Sequence, residues 1–232
     1  MDYRLKMIVR PNEKLKLNDI DPSFKDGHAS RKDANDATKK HLKRLENLQS
    51  LLWAEKRHSL LIVLQALDAG GKDGTINHVF TSFNVQGTKV ASFKHPTQAE
   101  QDHDFLWRVH PHAPGKGEIA IFNRSHYEDV LFARVHGLVD RHACERRYQH
   151  IRGFESNLVE NGTCILKFFL HISRKEQLAR FQERLEDPTR NWKISESDYT
   201  EREHWDDYIV AFQDALRATS VPQAVHVKLV AA

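Results

Sequence analysis

Cysteine is nearly absent: the 232 residues hold two, Cys144 and Cys164, with no C-x-x-C spacing. This excludes a disulfide scaffold and a zinc finger and points to a reducing compartment. No apolar run approaches the roughly 18 residues of a membrane span, and the N-terminal MDYRLKMIVRPNEK has no apolar signal segment. The expectation is a soluble, cytoplasmic protein with no membrane partner. Charge of one sign is not in excess either. Lys and Arg number 35 against 32 Asp and Glu, a formal net charge of +3. That gives no ground for a nucleic-acid partner, although a local cationic patch can still serve an anionic ligand. Internal repeats and low-complexity segments are also lacking. What remains is an ordinary globular balance, 40% hydrophobic and 29% charged, in a chain long enough for one domain.

Residues 1–29 are polar and rich in turn formers, and predict an extended arm. Ser30 to Asp33 matches a capping box that opens a long helix, with Ala34, Ala37, His41, Leu42, Leu45, Leu48, Leu51 and Leu52 at helical spacing. The pattern then alternates. Strands are predicted over residues 60–65, 88–94, 118–123 and 163–172. Helices are predicted from Gly74, over 99–110, from Ser125, over 141–161, over 173–186 and over 197–218. Strands apolar on both faces, alternating with helices, predict an α/β fold: a parallel sheet covered on both sides. Ligands of such folds sit at the carboxyl ends of the strands. This singles out the junctions 65–75, 94–97 and 123–128.

The first junction reads QALDAGGKDGT. It departs from the phosphate-binding loop G-x-x-x-x-G-K-[ST] at Ala66 and Asp73 but keeps Gly71-Lys72. A glycine turn between an apolar strand and a helix presents backbone N–H groups and a helix dipole to an anion. Gly70, Gly71 and Gly74 allow close backbone approach, and Lys72 projects to bound phosphates. A plain glycine turn is the bland alternative. Asp68, beside phosphates, is read as holding magnesium, and Asp73 as either a helix cap or a metal contact. The third junction reads GEIAIFNRSHYEDVLFARV. Asn123 stands where nucleotide-hydrolysing relatives of this loop carry an aspartate, and Arg124 can grip phosphate oxygens bidentately. Ser125 and Glu128 form a second S-x-x-E box, so Glu128 is open to capping or to ligand contact. A third cationic set follows the last strand: Arg174, Lys175, Arg180, Arg184, Arg190 and Lys193. It reads by default as a solvated helix face, or as a mobile lid for a highly anionic substrate. His103, His110, His112 and His126 show no zinc-ligand spacing.

Together these residues resemble the family-2 polyphosphate kinases. QALDAGGKDGT is similar to the family loop [GA]-x-D-[AS]-[AG]-G-K-D-G-T, and Phe122 through Glu128 meets F-[ND]-R-S-x-Y-E. The asparagine form with Tyr-Glu is most like class III, described as acting on both AMP and ADP. The resemblance runs to about Ser220. It implies a three-layer P-loop kinase fold with a helical lid over about 173–200. It also implies magnesium-dependent transfer of a terminal phosphate from inorganic polyphosphate to a nucleoside mono- or diphosphate, AMP or ADP, with the guanine counterparts as further candidate acceptors. Manganese is the alternative ion, and dimers or tetramers the expected assembly. Asp68, Lys72 and Arg124 are carried over as catalytic, with Asp68 and Glu128 toward the metal. Ala69, Gly70, Gly71, Asp73, Gly74, Thr75, Asn123, Ser125, Tyr127 and Glu128 are carried over as phosphate or nucleotide contacts. Arg174, Lys175, Arg180, Arg184 and Lys193 are assigned to polyphosphate.

Three departures stand out. Asn77 replaces a common basic residue, NVQG replaces NPQG, and the tail VPQAVHVKLVAA replaces the family's aromatic and acidic ending. The tail at 221–232 reads as truncated or frame-shifted, with Val225, Val227 and Leu229 alternating as an edge strand would. Two other readings stay open at this point: an ATP-dependent P-loop kinase, and an inactive polyphosphate- or nucleotide-binding protein.

Overall fold

One strand of eight parallel-paired residues, six of them apolar, lies inside the sheet and explains the architecture. The computed structural model describes residues 7–24, 30–222, 224 and 226–230, the last group by their backbone. Strand β2 (Ser59–Ala66) pairs in parallel with β4 (Ile119–Asn123) on one side and β5 (Thr163–His171) on the other. With β1 (Ile8–Val9), β3 (Thr88–Ser92) and β6 (His226–Val230) they form a sheet in the order β1-β6-β5-β2-β4-β3. Every neighbouring pair is parallel except β1 with β6.

Side chains alternate across a strand, so β2 and β4 feed two cores. Leu61, Val63, Ala120 and Phe122 face helices α5 (Arg141–Glu160) and α8 (Trp205–Thr219). Ile62, Leu64, Ile119 and Ile121 face the other way, toward α1 (Arg31–Glu55) and α2 (Lys72–Val79). Both faces of the sheet are therefore covered, as the apolar runs predict. Four further helices complete the described chain: α3 (Gln98–Gln101), α4 (Phe132–Val135), α6 (Arg174–Glu186) and α7 (Glu196–Glu201). Among the described residues no helix is long and apolar enough to cross a membrane.

The structure corrects five expectations. The helix predicted over 99–110 ends at Gln101, because the Asp104 carboxylate takes the Leu106 N–H (3.0 Å) and Pro111 sits in a 3-10 turn at 110–112. The helix predicted from Ser125 is a 3-10 turn over 126–129 followed by the short α4, since the Ser125 hydroxyl accepts from Tyr127 rather than from the third residue of a box. On α1 the Leu48 and Leu51 positions of the predicted stripe are 50% and 65% exposed, whereas Gln49 is buried, bonded to Asn84 and Thr88. The N-terminal segment is no free arm over its described part: Ile8–Val9 join the sheet and Val9, Leu15 and Leu17 enter the core. At the other end, β6 lies between β5 and β1 instead of at the edge. Val225 lies outside the described residues.

Candidate active site

The loop after β2 is set by steric limits. A Cβ on Gly70 would lie 2.5 Å from the Ala66 Cβ and 2.7 Å from the Leu67 carbonyl oxygen, so no side chain fits. Gly71 has φ +93° and caps α2. Of the four described non-glycine residues with left-handed backbone, two are here: Ala69 (φ 56°) in the loop and Arg124 (φ 61°) just beyond β4. Each costs about 1 kcal/mol or more, and such strain concentrates at functional sites.

These two strained residues belong to strand ends that meet. The Arg124 guanidinium donates to Asp68 Oδ1 at 2.6 Å, while its backbone N–H holds the Leu64 carbonyl (3.1 Å). Burial opposes the Arg124 charge, but Glu128 and Asp68 outweigh it and raise its pKa. Lys72 folds back on the strand end, donating to the carbonyls of Ala66 (2.8 Å) and Leu67 (3.3 Å). Burial pulls its ammonium below the ordinary lysine value, with Asp68 opposing. Glu128 moves the other way: burial raises its carboxyl above the usual range, and Arg124 and Lys72 offset this only in part. Asp73 sits inside the first turn of α2 instead of capping it, and accepts from Asn123 Nδ2 (2.8 Å) and Lys193 Nζ (3.2 Å). Thr75, one turn into α2, bonds through its N–H to the Gly71 carbonyl.

Helix α6 begins at a Ser173 cap, whose hydroxyl accepts from Glu176, and lies on the loop. Gln177 Nε2 donates to the Asp68 carbonyl (2.9 Å) and Arg180 Nη1 to the Ala69 carbonyl (3.0 Å), while Arg180 Nε holds Glu176 (2.7 Å). Of the expected lid cations, Arg180 and Lys193 thus reach the loop. Arg174 and Lys175 stand exposed at the start of α6, and Arg184 lies over the Phe181 ring at 5.9 Å.

Two expected ligand contacts are not at the crevice. Ser125 and Tyr127 are buried, Tyr127 to 2% exposure. Tyr127 turns into the core, donating to Glu155 Oε1 (2.9 Å) and bonding Thr219 Oγ1 (2.8 Å). Ser125 is taken up by Gln65: the Gln65 amide, oriented to satisfy its neighbours, accepts from the Ser125 N–H (3.0 Å) and donates to Glu128 Oε1 (3.0 Å). The histidines weighed as metal ligands make ring contacts, His103 on Trp107, His112 on Phe93, and His110 and His126 on Phe154.

Beside Asp68, Arg124 and Glu128 opens a cavity of about 380 Å³, walled by Phe132, Trp205, Tyr208 and Phe212. Arg202 and Gln177 also line it. Arg202 Nη1 and Gln177 Oε1 are buried with no hydrogen-bond partner among the described residues. Such orphaned atoms each cost roughly 1–3 kcal/mol unless a ligand or water meets them. None of these cavity residues was singled out by sequence reasoning. Trp205, Tyr208 and Phe212 recur at i, i+3 and i+7, which is the apolar stripe of any packed helix, and Arg202 is lost in the charge-rich run TEREHWDD.

A parallel α/β sheet with a Gly-Lys loop ending its inner strand, and an arginine ending the next, defines a P-loop kinase. The family model described as Polyphosphate kinase 2 (PPK2) matches residues 28–231, and the chain belongs to that family. It is 50% identical over 217 residues to the AMP/ADP-polyphosphate phosphotransferase of Meiothermus ruber, covering 93% of this chain and 81% of that protein. It is 43% identical to the ADP-polyphosphate phosphotransferase of Rhodopseudomonas palustris, covering 87% and 72%. The crystal structure of polyphosphate kinase 2 from Arthrobacter aurescens TC1 superimposes with a TM-score of 0.92 at 41% identity, over 96% of this chain and 80% of that one.

Proposed function

We propose that this protein transfers the terminal phosphoryl group of inorganic polyphosphate to AMP or ADP. The observation that carries the reading is the junction of two strand ends at one cavity: Asp68 and Arg124 paired at 2.6 Å, with Lys72 and Glu128 close enough to shift one another's titration. An acceptor phosphate is already largely ionised near neutrality (its second pKa is about 6), so no base is needed. An acceptor oxygen attacks the terminal phosphorus, the bridging P–O bond breaks, and the shortened chain leaves with the electron pair. The barrier is repulsion between polyanions, and positioned cations lower it. Lys72 and Arg124 supply fixed positive charge to the phosphates in flight. Arg180 and Lys193, on the lid over 173–200, bring the donor chain to the loop. The aromatic cavity takes the acceptor nucleoside, and Arg202 Nη1, without a partner among the described residues, donates to one of its polar oxygens.

Magnesium is part of the proposal. Among the described residues no group of three or more His, Cys, Asp and Glu gathers as a protein-only metal cage. Magnesium fits this donor set because it is commonly held by one or two carboxylates plus substrate phosphates. Asp68 and Glu128 would hold it, and it would add Lewis-acid neutralisation of the phosphate charge. Free Cys144 and Cys164 suit a cytoplasmic site of work. The exposed Leu48, Leu51, Val85 and Val90, on α1 and around the edge strand β3, suit assembly into dimers or tetramers.

Purified protein incubated with magnesium, polyphosphate and AMP or ADP is expected to yield ADP or ATP. Lys72→Ala and Arg124→Ala should each lower the rate by about 10³-fold or more with the fold intact. Folded protein that forms no product from either nucleotide overturns the reading. Product that appears only when ATP replaces polyphosphate turns it into an ATP-dependent kinase.

A further inference from the structure

Behind the strand-end turn lies a polar cluster, none of whose residues lines the cavity. Tyr127, Glu155, Lys167, Thr219 and His126 are all at most 2% exposed. Lys167 Nζ donates to Glu155 Oε2 at 2.6 Å and to the Thr219 carbonyl at 2.8 Å, and lies 3.3 Å from the Tyr127 hydroxyl. Glu155 also accepts from Tyr127, and His126 Nε2 stands 3.5 Å away. These groups come from the turn after β4, from α5, from β5 and from the end of α8. Burial pushes the Glu155 carboxyl up, but Lys167 and His126 overcome it and hold the group below its usual range.

Stability does not explain this cluster. Two charges removed from water lose solvation that their attraction repays only with very good geometry, and apolar residues of similar volume often hold a core as well or better. What the cluster does fix is a position. Tyr127 lies three residues after Arg124 and one before Glu128. The same turn is tied to β2 through the Arg124 N–H on Leu64 and through Ser125 on Gln65. Arg124 keeps its left-handed backbone only if its surroundings over-determine it.

We propose that the buried Lys167–Glu155 pair, acting through the Tyr127 hydroxyl, is a positioning device that holds Arg124 and Glu128 in register with Asp68. The inference rests on the assignment of Arg124 and Glu128 to phosphoryl transfer. Lys167, Glu155, Tyr127 and Thr219 are positioning residues that touch no substrate.

The test uses the full chain carrying Lys167→Met with Glu155→Leu, and separately Tyr127→Phe. The double variant should melt at or above the wild-type temperature, yet kcat should fall about tenfold or more with both KM values within about twofold, since small misplacements at a reacting centre cost rate steeply. Thr219→Ser, which keeps the hydroxyl, should hold kcat near wild type. Hydrogen exchange over residues 123–129 should quicken in the double variant and in Tyr127→Phe. A folded double variant with kcat within twofold of wild type overturns the proposal. If the double variant does not fold, Tyr127→Phe decides by the same threshold. If the wild-type protein transfers no phosphate, the reading of the site has failed on its own account. Exchange then judges the positioning role, and unchanged protection of 123–129 refutes it.

Discussion

Replacing Gly70 with alanine places a methyl carbon 2.5 Å from the Ala66 Cβ and 2.7 Å from the Leu67 carbonyl oxygen, where ordinary contact begins at 3.4 Å. The missing clearance is about 0.7–0.9 Å, and neither neighbour is a flexible side-chain end. Ala66 closes the buried strand β2, and the Leu67 oxygen accepts from the Gly70 N–H (3.0 Å) and from Lys72 Nζ (3.3 Å). The loop itself must therefore move, and Lys72 and Asp68 move with it. Overpacking of this kind costs roughly 1–3 kcal/mol, a fall in Tm of about 2–12 °C for a chain of this size. A shift near 1 Å at the reacting groups costs about 10²-fold in rate. Gly74→Ala is the matched control. Its Cβ meets nothing within 4 Å and lies within α2, where alanine is favoured over glycine by about 0.5–1 kcal/mol. Its Tm should rise by about 1–4 °C. Melting by differential scanning fluorimetry, and ATP formed from ADP and polyphosphate by a luciferase assay, measure both effects. A Gly70→Ala variant with wild-type Tm and kcat would refute the steric account of the loop.

Glu118 accepts from Lys89 (2.8 Å) and the Gly115 N–H (3.0 Å), and the Lys89 bond leads in holding its pKa below the ordinary 4.5. A depressed carboxylate contributes stability above the unfolded-state pKa and loses it as pH falls through the folded one. Glu118→Gln should therefore melt about 1–4 °C below wild type at pH 7, for about 0.5–1 kcal/mol, and the gap should close below pH 4.5. Equal gaps at both ends of a Tm–pH series would contradict this. Arg202→Gln should raise KM for the nucleotide about tenfold and leave that for polyphosphate near wild type, whereas Lys193→Ala should do the reverse by a smaller factor. Steady-state kinetics with each substrate varied in turn decides, and matched effects on both KM values would undo the division of roles.

Local chemistry made part of this structure legible and hid the rest. The loop could be read because its parts are consecutive: an apolar strand, a glycine cluster, a lysine and a helix. The Ser30 cap was equally local, its hydroxyl accepting from the third residue onward. At Ser125 the same pattern misled, because a bond to Tyr127 tightened the turn before a helix formed. Tyr127 was carried over as a ligand contact because it belongs to the motif from Phe122 to Glu128. Its real partners, Glu155, Lys167 and Thr219, stand 28, 40 and 92 positions away. The cavity was beyond reach for the same reason, since α4, α6, α7 and α8 build it together.

The cations of this site differ in what they must give up. Lys72 is met by two backbone carbonyls, Arg124 by Asp68, Arg180 by the Ala69 carbonyl and Glu176, and Lys193 by Asp73. A substrate phosphate that engages any of them exchanges one partner for another, so each contributes only a difference of interaction energies. That keeps ground-state binding of a long polyanion moderate, and a chain bound too tightly would gain nothing in rate. Arg202 stands apart, because its buried Nη1 has no partner among the described residues to surrender. A hydrogen bond made there adds to affinity without that exchange. On the proposed assignment, the loop and lid would hold a donor they must release shortened, and the cavity would hold the acceptor in one place until the transfer is done.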